Sequence, residues 1–109
     1  MALYTLATFE VRPESREQAE RAMHAFASFV RAELADSVHT TYRDAAAPAR
    51  YVSMVRAADE AADARHMKAF IDALSPVVVG KIDFMRCALV TSSDLAPRPA
   101  SRQRTRKRG

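Results

Sequence analysis

The chain has 109 residues, which is enough for one domain with a thin hydrophobic core and too few for two. Hydrophobic residues make up 49% and charged residues 28%, a balance that excludes a wholly disordered chain. No apolar run approaches the roughly 20 residues of a membrane-spanning helix, and the first residues lack the basic and apolar regions of a signal peptide. The single cysteine, Cys87, excludes an intramolecular disulfide. We therefore expect a cytoplasmic protein that does not contact a membrane.

The net charge of +4 comes from one end of the chain. Residues 1–92 carry 11 Lys and Arg against 12 Asp and Glu, whereas residues 93–109 carry six against one. The composition of the second segment, rich in Arg, Ser and Pro, is typical of disorder. We predict a folded domain over residues 1–92 and a disordered basic tail over residues 93–109. The tail has no aromatic residue to stack on bases, so any contact with nucleic acid is expected to be weak and nonspecific.

The first predicted elements are a strand and an amphipathic helix. Residues 3–11 are rich in β-branched and aromatic side chains and carry apolar residues on both faces, which predicts a strand. From Ser15 to Leu34, apolar residues recur at steps of three and four, which predicts a helix with one buried stripe. Ser15 and Gln18 match a capping box, in which the serine hydroxyl accepts a backbone hydrogen bond.

A strand pair follows the helix. Residues 38–43 and 50–57 predict two strands, because β-branched and aromatic side chains alternate with polar ones. The loop over residues 44–49 is short, and a short loop favours an antiparallel hairpin. Tyr51 is predicted to share a face of the second strand with Ser53, since alternate residues point to the same side.

The last predicted elements are a second helix and a fourth strand. Asp59 is placed to cap the helix, which ends near Pro76. Residues 81–91 predict the strand, with Gly80 as the turn residue before it. The order strand, helix, strand, strand, helix, strand indicates an α+β domain of the ferredoxin-like βαββαβ type. Such a domain has a four-stranded antiparallel sheet with both helices on one face.

The second face of this sheet has nothing in the chain to cover it. Tyr4 and Leu6 are predicted to point to that face, because they alternate with the residues beneath the helices. Large exposed apolar patches mark interfaces in soluble proteins. We therefore expect a homodimer in which two sheets pack face to face.

The hairpin and the second helix carry a set of features that occur together in one family. These are YRD at 42–44, a turn containing proline, RYV at 50–52, DEAA at 59–62 and HMKAF at 66–70. On these features, residues 3–91 resemble the antibiotic biosynthesis monooxygenase family of dimeric α+β barrels. The resemblance implies oxidation of a phenol, anthrone or dihydroquinone by O₂, without metal or flavin, in a pocket between the sheet and the helices.

The chain departs from the pattern of this family and its superfamily at two places. Many relatives carry a tryptophan where this chain has Ala57, and the chain has no tryptophan. A haem-degrading branch of the superfamily uses an asparagine and a histidine, and Ala7 and Phe70 stand in their places here. We therefore do not expect haem degradation.

His66 is the predicted catalytic residue, and Phe70 lies one helical turn after it. A histidine on this face can act as a general base because its ordinary pKa is near neutral pH. The alternative is a partly buried histidine that is hydrogen-bonded to a backbone carbonyl. For His39, on the second strand, a surface or interface position is the expectation. The three histidines and Cys87 show no metal-ligand spacing, so no metal is expected.

Three further residues are predicted to bind substrate together with Phe70. Tyr51 can donate a hydrogen bond to a phenolate or else fill the dimer interface. Arg86 can hold an anionic intermediate or pair with a carboxylate such as Asp83 or Glu10. Met54 can line an adaptable pocket for a flat ligand, although plain packing is the usual role of methionine.

Three functions remain open from the sequence. The first is a cofactor-independent monooxygenase that acts on a small aromatic molecule. The second is a dimer on the same scaffold that binds a small molecule without oxidising it. The third is an interaction module whose working part is the basic tail.

Overall fold

A computed structural model describes residues 2–34 and 36–93. The predicted basic tail, residues 93–109, lies outside this part of the chain except for Ser93. Within the described residues, no helix is long and apolar enough to cross a membrane.

Four strands and two helices form in the predicted order. They are β1 (Leu3–Val11), α1 (Arg16–Glu33), β2 (Val38–Arg43), β3 (Arg50–Ala57), α2 (Glu60–Leu74) and β4 (Val78–Cys87). The strands make one antiparallel sheet in the order β2-β3-β1-β4. This architecture confirms the ferredoxin-like α+β prediction.

The two helices cover one face of the sheet. Along β1 the odd-numbered residues from Thr5 to Val11 are buried, whereas the even-numbered ones are half-buried or exposed. The core holds the predicted stripe of α1, which is made of Ala19, Met23, Phe26, Val30 and Leu34. Phe70 and Leu74 of α2 join the same core. The helical spacing read from the sequence therefore identifies the buried side of both helices.

The two helices begin differently. The Asp59 side chain accepts a hydrogen bond from the backbone N–H of Ala62 at 2.8 Å, which confirms it as the cap of α2. The capping box predicted at Ser15 is wrong, because its side chain makes no capping hydrogen bond. A short 3₁₀ turn over Pro13–Ser15 runs directly into α1 and gives Ser15 φ −105° and ψ 9°. A capping side chain needs the extended backbone that this turn removes.

The last strand differs from its predicted bounds. It begins at Val78 and ends at Cys87, three residues earlier at its start and four earlier at its end than predicted. Gly80 lies inside the strand, not in a turn before it, and has φ +72°. The register of β4 against β1 shifts between Thr8 and Glu10, opposite this glycine. A β-bulge with a left-handed residue is a position that glycine adopts without strain.

The face of the sheet away from the helices is open. Leu6 on β1 is in register with Met54 of β3 and Met85 of β4, so three apolar side chains meet there. Met85 is 57% exposed and Tyr42 of β2 is 61% exposed. The structure thus shows the uncovered apolar face on which the expected homodimer rests, and the dimer itself stays a prediction.

Replacing Leu6 by Glu tests the dimer. A carboxylate at the centre of a face-to-face interface would have to be buried without a partner, so we expect the variant to be monomeric. Light scattering after size-exclusion chromatography measures the mass. Ile71→Glu, on the outer side of α2, is the matched control and should remain a dimer. A monomeric wild-type chain would contradict the prediction.

Candidate functional site

Two histidines meet beneath the helices. His66 on α2 is only 2% exposed, and its Nε2 lies 3.3 Å from Nδ1 of His39 on β2. Phe26 of α1 packs edge-to-face on both imidazoles, with centroid distances of 4.7 Å in each case. His39, expected at a surface or interface, is half-buried, and its ring also packs against the core. We call His39 and His66 the histidine pair.

Two hydroxyl groups complete the polar surroundings of His39. Thr41 Oγ1 lies 2.7 Å from Nε2 of His39, and Ser53 Oγ lies 3.3 Å from the same nitrogen. The register of β2 against β3 brings these side chains together, since Thr41 is directly opposite Ser53. Nδ1 of His66 has no hydrogen-bond partner among the described protein atoms. His66 is therefore held by its contact with His39 on one side and by packing on the other.

Burial keeps both imidazoles uncharged. It lowers the pKa of His39 from 6.5 to about 4, with the neighbouring His66 as a smaller cause. It also lowers the pKa of His66 to about 4. Burial deprives a charged imidazole of hydration and so favours the uncharged ring. At neutral pH each ring is thus uncharged and has one nitrogen without a proton.

A groove between α1 and β2 gives access to the pair. Its volume is about 330 Å³, and His39 lines it, whereas His66 lies behind His39. The side chains that line it include Glu20, Met23, His24, His39, Arg43 and Tyr51. By contrast, the cavity beside His66 and Phe70 has a volume of only about 10 Å³, which is too small for an aromatic ring. Of these two spaces, only the α1–β2 groove is large enough for a ligand.

Three residues close one end of the groove. The Glu20 carboxylate accepts hydrogen bonds from Arg43 Nε at 2.9 Å, Arg43 Nη2 at 2.7 Å and the Tyr51 hydroxyl at 2.6 Å. Arg43 is the main cause of the fall in the pKa of Glu20 to about 2, followed by the Tyr51 hydrogen bond. Burial and the Glu20 hydrogen bond raise the pKa of Tyr51. We call this arrangement the Glu20 clamp; it ties α1 to β2 and β3.

A second charged pair lies at the other side of α2. Arg86 Nη2 donates to Asp63 Oδ2 at 2.8 Å, and Thr5 Oγ1 lies 3.5 Å from Asp63 Oδ1. Asp83 and Glu10, the partners suggested by the sequence, are not used. Arg86 is opposite Thr5 on the helix-covered side, whereas Asp83 is opposite Thr8 on the open face. Arg86 thus neutralises a buried carboxylate and does not line the groove.

The structure brings together only some of the predicted site residues. Tyr51 lines the groove, with its ring stacked on Phe9 at 5.7 Å and its hydroxyl engaged by Glu20. His66 and Phe70 lie behind His39, with the Phe70 centroid 5.6 Å from that of His39. Met54 is on the open face of the sheet, 36% exposed and separated from the histidine pair by the sheet itself.

Sequence reasoning missed His39, Glu20 and Arg43 as site residues. A signal for His39 was present, because the antiparallel register places odd-numbered residues of β2 on the face of Tyr51 and Ser53. No comparable signal exists for Glu20, since a glutamate on the polar side of a helix is ordinary. Its role follows from the way α1 lies across the sheet. Among the described residues, no group of His, Cys, Asp and Glu is arranged to hold a metal ion.

Comparison with known proteins identifies the fold. No protein-family model matches the chain, and no curated protein matches it significantly. Solved structures do match. One from Caulobacter crescentus, which carries the antibiotic biosynthesis monooxygenase name, has a TM-score of 0.72 at 21% identity, covering 83% of this chain and 91% of its own. Another is SnoaB, a cofactor-independent oxygenase from Streptomyces nogalater, with a TM-score of 0.68 at 17% identity, covering 84% and 96%.

A third match is a Bacteroides thetaiotaomicron structure of the same name as the Caulobacter protein, with a TM-score of 0.72 at 14% identity, covering 84% of this chain and 92% of its own. This chain has the antibiotic biosynthesis monooxygenase fold. At these identities the likeness shows the fold alone, so the activity has to be argued from the site of this chain. The fold that the resemblance implies is thus confirmed.

The low pKa values of the histidine pair predict a loss of stability in mild acid. The two histidines have a pKa of 6.5 in the unfolded chain and of about 4 in the folded chain. The unfolded chain therefore binds more protons between these values, so stability is greatest above pH 6.5 and falls as the pH goes from 6.5 to 4. Each histidine contributes a slope of up to about 1.4 kcal/mol per pH unit. Urea unfolding at pH 7.5, 6 and 5 measures this dependence of stability on pH.

The variant His66→Leu separates this effect from the carboxylates. It removes one titrating site and should flatten the slope by about half, whereas His24→Gln, on the exposed side of α1, should keep the slope of the wild type. The depressed pKa of Glu20 acts between its ordinary 4.5 and about 2, below the window used. Equal stability at pH 7.5 and pH 5 in the wild type would contradict the prediction.

Proposed function

We propose that this chain is a cofactor-independent monooxygenase that oxidises a small aromatic substrate, such as a phenol, anthrone or dihydroquinone, with O₂. The observation that carries the proposal is the histidine pair, with His39 lining a groove of ligand size and His66 directly behind it. The fold shared with a cofactor-independent oxygenase adds support. A cytoplasmic location, a homodimer and the lack of a metal or flavin belong to the same proposal.

His39 is the base in this proposal. In one tautomer its Nδ1 donates a hydrogen bond to His66 Nε2, and its own Nε2 is then an acceptor at the groove, 2.7 Å from Thr41 Oγ1. The Nε2 atom takes the substrate proton, and His66 shares the resulting charge through the hydrogen bond between the two rings. His66, the base suggested by the sequence, becomes a positioning residue, because it is buried behind His39.

The proposed reaction balances without another reactant. Loss of a proton from the ring-activated CH₂ of an anthrone gives a carbanion, which transfers one electron to O₂. The substrate radical and superoxide combine into a peroxide, and this loses water as the carbonyl forms. The overall change is CH₂ plus O₂ to C=O plus H₂O.

The groove suits such a substrate. Its volume of about 330 Å³ lies within the usual range of small-molecule sites. Met23 and Ala27 of α1 supply apolar contacts, and His39 and Thr41 supply polar atoms on the opposite wall. Phe70 acts from behind by holding the His39 ring. In this proposal Arg86 and Met54 do not touch the substrate, because they lie outside the groove.

One observation favours the alternative of a binding dimer without oxidative chemistry. A base with a pKa of about 4 is poorly matched to a phenol, whose ordinary pKa is near 10. Proton transfer then requires the groove to stabilise the anion strongly. The third function, an interaction module, gains no support from the described residues, since the tail lies outside them except for Ser93.

Oxygen consumption tests the proposal. With a panel of anthrones and dihydroquinones and a metal chelator present, we expect uptake that falls at least tenfold in His39→Gln. His66→Gln should also lower uptake, because it removes the partner of His39. His24→Gln is the matched control, since His24 also lines the groove but is exposed.

The outcomes discriminate between the functions. Uptake that survives in His39→Gln would remove His39 as the base, and uptake lost only with the chelator would contradict cofactor independence. Saturable binding of the same aromatic molecules without oxygen uptake would replace the monooxygenase by the binding dimer.

A further inference from the structure

The Glu20 clamp controls the charge of the groove. Among the described residues that line it, Glu20 is the only acid and Arg43 the only Lys or Arg. The two are joined by two short hydrogen bonds in a fork-like geometry, so their charges cancel at the end of the groove. His39, on the adjacent wall, is uncharged at neutral pH because burial lowers its pKa to about 4.

The clamp occupies the groups that a ligand carboxylate would use. The Glu20 carboxylate accepts three hydrogen bonds, two from Arg43 and one from the Tyr51 hydroxyl, all of 2.9 Å or less. The Glu20 side chain is 29% exposed, and Tyr51 is 1% exposed. Arg16, one helical turn before Glu20, adds a weaker attraction that also lowers the pKa of Glu20. Arg43 turns its Nε–Nη2 edge to Glu20, so a ligand carboxylate can take that edge only by displacing this internal carboxylate.

We infer that Glu20 determines the charge selectivity of the groove: it occupies Arg43 and so reserves the site for uncharged aromatic molecules over those that carry a carboxylate. The groove would otherwise present a half-exposed guanidinium to any anionic ligand. An uncharged phenol can bind along Met23 and His39 without disturbing the clamp. The inference rests on the proposed function only in taking the groove as the ligand site.

The variant Glu20→Gln isolates the charge. Glutamine has nearly the same shape, and its amide oxygen still accepts a hydrogen bond from the Tyr51 hydroxyl, so the link between α1 and β3 is kept. Arg43 keeps its charge but loses its counter-charge. The matched control is Glu17→Gln, an acid on the same helix that pairs with the exposed Arg21 and does not line the groove.

Two fluorescent probes report the selectivity: 2-naphthol, uncharged near pH 7, and 6-hydroxy-2-naphthoate, which adds one carboxylate. We expect wild type to prefer 2-naphthol. In Glu20→Gln the affinity for 6-hydroxy-2-naphthoate should rise about fivefold to tenfold, and that for 2-naphthol should change less than about twofold. The gain should shrink at high salt, because Arg43 is half exposed. The double variant Glu20→Gln with Arg43→Gln should lose the gain.

Several results would overturn the inference. These are an equal gain for both probes, the same gain in Glu17→Gln, a gain that survives the loss of Arg43, or no binding of either probe to wild type and variant. A circular-dichroism melting curve verifies that Glu20→Gln is folded; if it is not, Glu20→Asp replaces it, since the shorter side chain cannot hold Arg43 as closely, and no gain for 6-hydroxy-2-naphthoate in that variant overturns the inference. Selective binding without oxygen uptake would sustain this inference and remove the monooxygenase, so the two can fail separately.

Discussion

The packing of Phe26 against both imidazoles is the contact on which the candidate site depends. Phe26 comes from α1, His66 from α2 and His39 from the edge strand β2, so this contact joins both helices to the sheet. It also removes water from both rings, and that loss of hydration lowers their pKa values. The same burial that stabilises the helix layer therefore sets the protonation state available for chemistry.

Most of the fold could be predicted from the sequence, because its signals are local. The stripe from Ala19 to Leu34 has helical spacing, and the two hairpin strands were bounded as the structure has them. The errors arise where contacts with neighbouring elements determine the local backbone structure. The sequence predicts Gly80 as a turn residue. It lies instead in a β-bulge, where the pairing of β4 with β1 shifts in register. Ser15 has the right side chain for a cap but lacks the extended backbone, which the preceding 3₁₀ turn removes.

The site was harder to predict than the fold, because it depends on which faces meet. Alternate residues of a strand point to opposite faces, so the sequence places His39 and Tyr42 on opposite faces of β2. It does not indicate which face the helices cover. The register of β2 against β3 answers this, since it pairs His39 with the buried Val55 and leaves Tyr42 on the open face. Arg86 illustrates the same difficulty. The acid nearest to it in sequence, Asp83, points to the open face of the sheet, and its partner, Asp63, lies on a helix 23 positions away.

Glu20 connects stability with selectivity. The three hydrogen bonds of the clamp tie α1 to two strands, and because they involve a charged acceptor they are stronger than neutral ones. Yet Glu20 and Arg43 are 29% and 49% exposed, so solvent screens much of their attraction and the clamp adds only modestly to the free energy of unfolding. Burial of the apolar core contributes more, at about 1.5–3 kcal/mol for each large side chain. A charge pair that contributes little to stability can therefore change with little effect on the fold, and this leaves the end of the groove open to adjustment for a different ligand charge.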